Sequence, residues 1–137
     1  MKRVVVDTNI SISALFWSGL PRKVMDLARV GRIVLLTSRE IEAELVRVLA
    51  YGRFGLPPAE IIPIVNDLRR LAVTIETRSR FNAIVDDPTD NIFLDCAVDG
   101  NADMIVSGDR HLLSLGMIEG IPIMRARDFL TEWGHLD

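Results

Sequence analysis

The chain has 137 residues, 49% of them hydrophobic and 26% charged, with a formal net charge of −3. That length and balance describe one globular domain, 1–137, with a single core. The acidic surplus excludes a globally basic nucleic-acid-binding surface, though not a local basic rim beside an acidic site.

"RVVVD" opens the chain as a continuous apolar strand of the kind buried on both faces of a parallel sheet, and it ends on Asp7. Asp7 also stops the run "MKRVVV" far short of a signal-peptide core. Ile10 to Phe16 and Pro21 to Val30 read as two helices, punctuated by Gly19 and Gly31. "RIVLLTS" is a second strand, "REIEAELVRVLA" a helix, and "YGRFGLPPAE" a turn-rich connection. Ile61 to Leu71 has helical period and "AVTIE" is a short strand. "DDPTDNIFLDCAVDGN" reads as one helix with a Gly-Asn stop; its Cys96, the only cysteine, excludes an internal disulfide and reads as a small core residue. "ADMIVSGD" is a strand, "RHLLSL" a short helix, "IPIM" a last strand and "RARDFLTEWG" a closing helix. No stretch approaches the roughly 20 apolar residues of a membrane span, so a cytoplasmic location is expected. Alternating strands and helices argue α/β architecture: a three-layer α/β/α sandwich around a mainly parallel sheet of about five strands.

In such a sheet, sites form beyond the carboxyl ends of the strands. Four acids map to that edge. Asp7 ends the first strand and Asp109 ends "MIVSGD"; Glu44 lies in the second turn of the helix after "IVLLTS", and Asp90 opens the helix after "AVTIE". Converging carboxylates repel unless a cation sits among them, and hard oxygen donors suit Mg²⁺ or Mn²⁺. Each acid also has a plainer reading. Asp7, Asp109 and the Asp87–Asp90 pair can serve as helix caps or first-turn acids, and capping is compatible with metal binding.

Glu44 falls on the helix face of Ile41, Leu45, Val48 and Leu49, where an acid wants a partner. Glu42 falls outside that stripe as the expected solvent-side acid, and Glu40 pairs with Thr37 as a capping box. Asp95 lies about 140° around the helix from Asp90, so the two do not easily face one point. Asp86 and Asp87 read as loop or cap residues, Asp99 and Asp103 as solvated. Thr8, Asn9 and Ser107 stand beside the acids, placed to orient carboxylates or water. Arg110, and less directly Arg22 or Lys23, are candidate contacts to a substrate backbone; His111 reads as packing at its short helix. Trp17, Tyr51 and Phe54 could stack bases, with core or dimer packing the better reading.

"VVVDTN", "SREIEAEL", "DDPTDNIFLDCA" and "ADMIVSGDRHLL", in that order, resemble the PIN-domain family, and within it the VapC-like toxins of type II toxin–antitoxin pairs. The family's acidic set carries onto Asp7, Glu44, Asp90 and Asp109, with none missing. The resemblance implies an α/β/α sandwich, metal-dependent endonucleolytic cleavage, usually of RNA, a homodimer, and inhibition by a cognate antitoxin. In that reading Asp7, Asp90 and Asp109 hold Mg²⁺ or Mn²⁺, and Glu44 positions water and helps take its proton. A haloacid-dehalogenase-type phosphatase also starts with a strand-terminal Asp, but its second Asp two residues on is here Asn9. A degenerate fold that only binds RNA or protein, and an RNA-processing nuclease without a toxin role, are the other rivals.

Overall fold

The structure, a computed structural model, describes residues 1–134. The strands are β1 (Lys2–Val6), β2 (Ile33–Thr37), β3 (Val73–Thr74), β4 (Met104–Val106), β5 (Met117–Ile118) and β6 (Ile121–Met124). The helices are α1 (Thr8–Phe16), α2 (Leu20–Arg29), α3 (Arg39–Ala50), α4 (Pro58–Leu71), α5 (Asn91–Asp99), α6 (Arg110–Leu115) and α7 (Ala126–Trp133). The sheet order is β3-β2-β1-β4-β6-β5, parallel throughout except for the β5–β6 hairpin.

Alternation along the central strands builds the two outer layers. Val4, Val6, Leu35, Met104 and Val106 point to a core shared with α1, α2, α3, α4 and α7. Val5, Leu36, Ile105 and Ile123 point the other way, onto Phe93, Leu94, Cys96 and Ala97 of α5 and Leu112 of α6. Strands buried on both faces read as unbroken apolar runs, which is why "RVVV" and "IVLL" carry no polar alternation. Cys96 is a core thiol, and burial pushes it up to about 12, which leaves it unreactive.

Three local features depart from the sequence reading. The sheet has six strands rather than five, because Glu119 (φ 46) and Gly120 (φ 83) turn the chain back in two residues and pair Ile118 with Ile121. Helix α4 begins at Pro58, inside the stretch read as a connection; proline at the first helical position has no N–H to lose. The Gly-Asn stop of α5 works in reverse of its expected roles: Asn101 takes the positive φ of 53 while Gly100 stays at −90.

Gly100 is required for space. A Cβ there would lie 2.8 Å from the Cys96 carbonyl and 2.9 Å from both Ile75 Cγ1 and Leu36 Cδ1. Its carbonyl also accepts from Arg3 Nε and Nη2 at 3.0 and 2.8 Å. Gly100→Ala is therefore expected to destabilise by about 1–3 kcal/mol, read as a melting point lower by about 3–10 °C. An unchanged melting point would show that the α5–β2 contact yields without cost.

Candidate functional site

The site begins with strand register. β1 and β4 run parallel with Val6 beside Val106, so the next residues, Asp7 and Ser107, emerge side by side at the carboxyl edge. Ser107 is fully buried and its Oγ donates a short hydrogen bond to Asp7 Oδ2 while accepting from the Asp109 N–H at 2.9 Å. One hydroxyl thus ties two acids together. Asp7 Oδ1 accepts from Ile10 N at 2.9 Å and caps α1; Asp109 Oδ1 accepts from His111 N at 2.8 Å and Leu112 N at 3.2 Å and caps α6. A carboxylate offers about four lone-pair directions, so these caps orient both acids without exhausting them.

Asp90 reaches the same place from a different element. "DDPTD" does not begin an α-helix directly: Pro88–Asp90 form a 3₁₀ turn before α5. Asp87 caps it through its backbone, accepting from Asp90 N at 3.0 Å, and its side chain makes no capping bond. With three residues per 3₁₀ turn, positions 87 and 90 lie on one side, which frees the Asp87 carboxylate to join the group. Ligand atoms of Asp87, Asp90, Asp109 and His111 all lie within 4.8 Å of one another. Asp87 and His111 join the group although their sequence context reads as a cap and as packing; the feature that marks Asp87 is the proline that tightens its turn.

The electrostatics of the group are unbalanced. Burial, then the neighbouring Asp109 carboxyl, push Asp90 up to about 7. Asp7 is also raised, chiefly by burial, against the lowering effect of its bonds to Ser107 and Ile10. Asp90 Oδ2 and His111 Nδ1 are buried without any hydrogen-bond partner. Buried polar atoms are almost always satisfied. Buried carboxylates, one with an orphaned oxygen, are a donor set that a divalent cation fits.

The remaining predicted residues divide. Thr8 is buried beside Asp7 with its hydroxyl unpartnered, whereas Asn9 is exposed and lines a groove instead. Arg110 is exposed next to Asp109. Glu44 is mostly buried, its side chain 11% exposed, and it is bonded by Arg47 Nε and Nη2, each at 2.6 Å. Glu42, expected in solvent, is the buried acid of α3 and pairs with Arg69 Nε of α4 at 2.6 Å. It sits three before Leu45 and seven before Leu49, on the flank that α4 covers. Thr37 does not cap α3: Ser38 does, accepting from Ile41 N at 3.2 Å, and Glu40 accepts from Thr77 Oγ1. Arg22 is committed to the end of α1, donating to the carbonyls of Ala14 and Leu15.

Asp95 stands apart from the acid group and holds structure. Asn91, Asp95 and Asp99 recur every four residues along α5 and together pin the long segment before the 3₁₀ turn. Asn91 exchanges hydrogen bonds with the Ile84 backbone, Asp95 accepts from Phe81 N at 2.8 Å, and Asp99 accepts from Arg78 N, Ser79 N and Ser79 Oγ. Asp99 is therefore committed to the backbone of that segment, whereas Asp103 is exposed, as expected, and also accepts from Arg3 N at 2.7 Å.

Next to Asn9 a groove of about 460 Å³ is lined by Ser13, Arg47, Tyr51, Arg53 and Phe54. Tyr51 is 70% exposed, Phe16 stacks on Phe54 at 5.1 Å, and the Arg53 guanidinium lies 4.9 Å from the Phe54 ring. The groove next to the helix that Asp7 caps therefore presents aromatic rings with the Arg53 guanidinium over them, while its other cation, Arg47, is paired with Glu44.

No helix among the described residues is long and apolar enough to cross a membrane. No curated protein matches the chain in sequence. A chain in the crystal structure of DNA-bound VapBC from Salmonella typhimurium shares the fold, with a TM-score of 0.61 at 15% identity over 92% of this chain and 99% of that one. The family model for the PIN domain matches residues 3–111, about four-fifths of the sequence. With that match, and with its sheet and acidic edge, the chain belongs to the PIN-domain family.

Proposed function

We propose that the protein is a divalent-cation-dependent endoribonuclease, acting in the cytoplasm as the toxin of a type II toxin–antitoxin pair and held in check by a cognate antitoxin. The observation that carries this reading is the approach of Asp90 and Asp109, from separate segments, to within 4.8 Å beside a buried Asp90 oxygen that has no partner, with Asp7 tied to Asp109 through Ser107 and near enough for its charge to act on Asp90. Asp7, Asp90 and Asp109 would hold Mg²⁺ or Mn²⁺. When bound, the cation supplies acidification of water and relief of phosphate charge. Ser107 holds Asp7 and Asp109 in fixed relation; the proton-accepting role falls to Glu44 through the resemblance of its motif to the family's acidic set, and Arg47 is bonded to it. The toxin role and a homodimer are supported by the resemblance of the four motifs to VapC-like proteins, and the toxin role also by the fold shared with a VapBC chain.

RNA as substrate is supported by the groove. Single strands bind to basic tracks with aromatic platforms, each stacked base contributing about 1–3 kcal/mol. Tyr51→Ala in an Asp7→Asn background is accordingly expected to weaken single-stranded RNA binding by roughly tenfold, measured by fluorescence anisotropy. Undiminished affinity would remove the groove from the substrate path.

The reaction itself is tested by incubating partner-free protein with a mixed RNA pool, with Mg²⁺, with Mn²⁺ and with chelator, beside Asp7→Asn. Cleavage that requires both the cation and Asp7 is expected. Cleavage that survives chelation or Asp7→Asn would overturn the assignment.

A further inference from the structure

We propose that His111 Nδ1 joins the carboxylates as a cation donor, making a mixed nitrogen–oxygen site that selects Mn²⁺ over Mg²⁺. The inference rests on the cation-dependent reading above and adds to it a donor and a choice of metal.

His111 is held at the site by the same cap that holds Asp109. Its backbone N–H donates to Asp109 Oδ1 at 2.8 Å, which fixes the first turn of α6 and brings the His111 backbone beside the acid. Nδ1 then lies 3.7 Å from Asp109 Oδ1 and 4.0 Å from Asp90 Oδ2. Those separations are too long for hydrogen bonds and short enough for the three atoms to share one ligand. Two of the three, Asp90 Oδ2 and His111 Nδ1, are buried with no other partner, and Asp90 as a whole is only 9% exposed. A histidine that merely packed at its helix would turn a ring carbon inward and keep its nitrogens bonded or wet. Here a ring nitrogen faces the acids.

Donor chemistry sets the metal. Mg²⁺ demands oxygen ligands and keeps much of its water, whereas imidazole suits first-row transition cations. A site offering only Asp7, Asp90 and Asp109 would discriminate little between Mg²⁺ and Mn²⁺. Adding one imidazole nitrogen raises the affinity for Mn²⁺ relative to Mg²⁺, as it does for the later first-row cations, with Asp87 contributing further negative charge at the same point.

The test uses tag-free full-length protein with Mn²⁺ and Mg²⁺ as probes, wild type beside His111→Gln and Asp90→Asn. Titration calorimetry should give Mn²⁺ a clear advantage that His111→Gln reduces by about tenfold or more, with Mg²⁺ affinity little changed. Electron spin-echo spectroscopy of bound Mn²⁺ should show ¹⁴N coupling in the wild type and none in His111→Gln. The wild-type spectrum decides the matter even if the variant folds poorly. Mn²⁺ that binds in an Asp90-dependent way without nitrogen coupling would overturn the inference and leave the nuclease reading intact. Absence of any cation binding that Asp90→Asn abolishes would overturn both.

Discussion

Asp90→Asn is expected to make the cation-free protein more stable at pH 8 and, in the same variant, to reduce RNA cleavage by about 10²- to 10³-fold, the range for losing one preorganised electrostatic group. The two effects have one origin. Burial and the Asp109 carboxyl raise Asp90 to about 7 in the folded chain, against about 3.9 when unfolded. Between those values the native state binds more protons than the unfolded state, so cation-free stability falls as pH rises from about 4 to about 7. Below that window the contribution is fully present, and above it is lost. Asparagine has nothing to ionise, so its variant should show a flatter profile and a melting point higher by a few degrees at pH 8. A saturating cation should likewise raise the wild-type melting point and leave Asp90→Asn unmoved. Calorimetric melts from pH 4 to 8, with and without Mn²⁺, check the first half and a single-turnover cleavage assay the second. A variant less stable than wild type at pH 8 would mean that Asp90 is a structural acid.

Ser107→Ala should cost activity through geometry rather than charge. The hydroxyl donates to Asp7 and accepts from the Asp109 backbone, so its loss leaves Asp7 short of a partner at a buried position and loosens the turn that carries Asp109. Cleavage is expected to fall by about 10- to 100-fold, as for other groups that orient metal ligands, and stability by about 1–3 kcal/mol. Ser107→Thr, which keeps the hydroxyl, should recover much of the activity if the added methyl fits. Weaker Mn²⁺ binding in Ser107→Ala would separate this positioning role from simple loss of fold. Full activity in Ser107→Ala would show that the helix caps alone hold the acids.

Much of this was legible in the sequence because it depends on short-range pattern. Apolar runs bounded by turns mark buried parallel strands, and an acid immediately after such a run must lie at the sheet's carboxyl edge. Asp7 could be placed that way; Asp109, read as the end of its strand, instead lies three residues past β4 and is kept at the same edge by capping α6. What escaped depends on tertiary context or on a small change of helical period. A 3₁₀ turn in place of an α turn brings Asp87 onto the side of Asp90. The packing of α4 over α3 decides that Glu42 is buried and paired with Arg69, which no pattern within α3 alone specifies. The ladder Asn91, Asp95 and Asp99 looks like candidate chemistry until the segment it pins is seen beside it. His111 reads as packing until its ring nitrogen is found facing two acids.

The most direct measurement is anomalous diffraction from crystals of the wild-type protein soaked in Mn²⁺. An ion is expected among Asp7, Asp90 and Asp109, in contact with the Asp90 oxygen that otherwise has no partner, and no such ion in Asp90→Asn crystals. An active protein whose Mn²⁺ binds elsewhere, with these carboxylates left uncoordinated, would contradict that expectation.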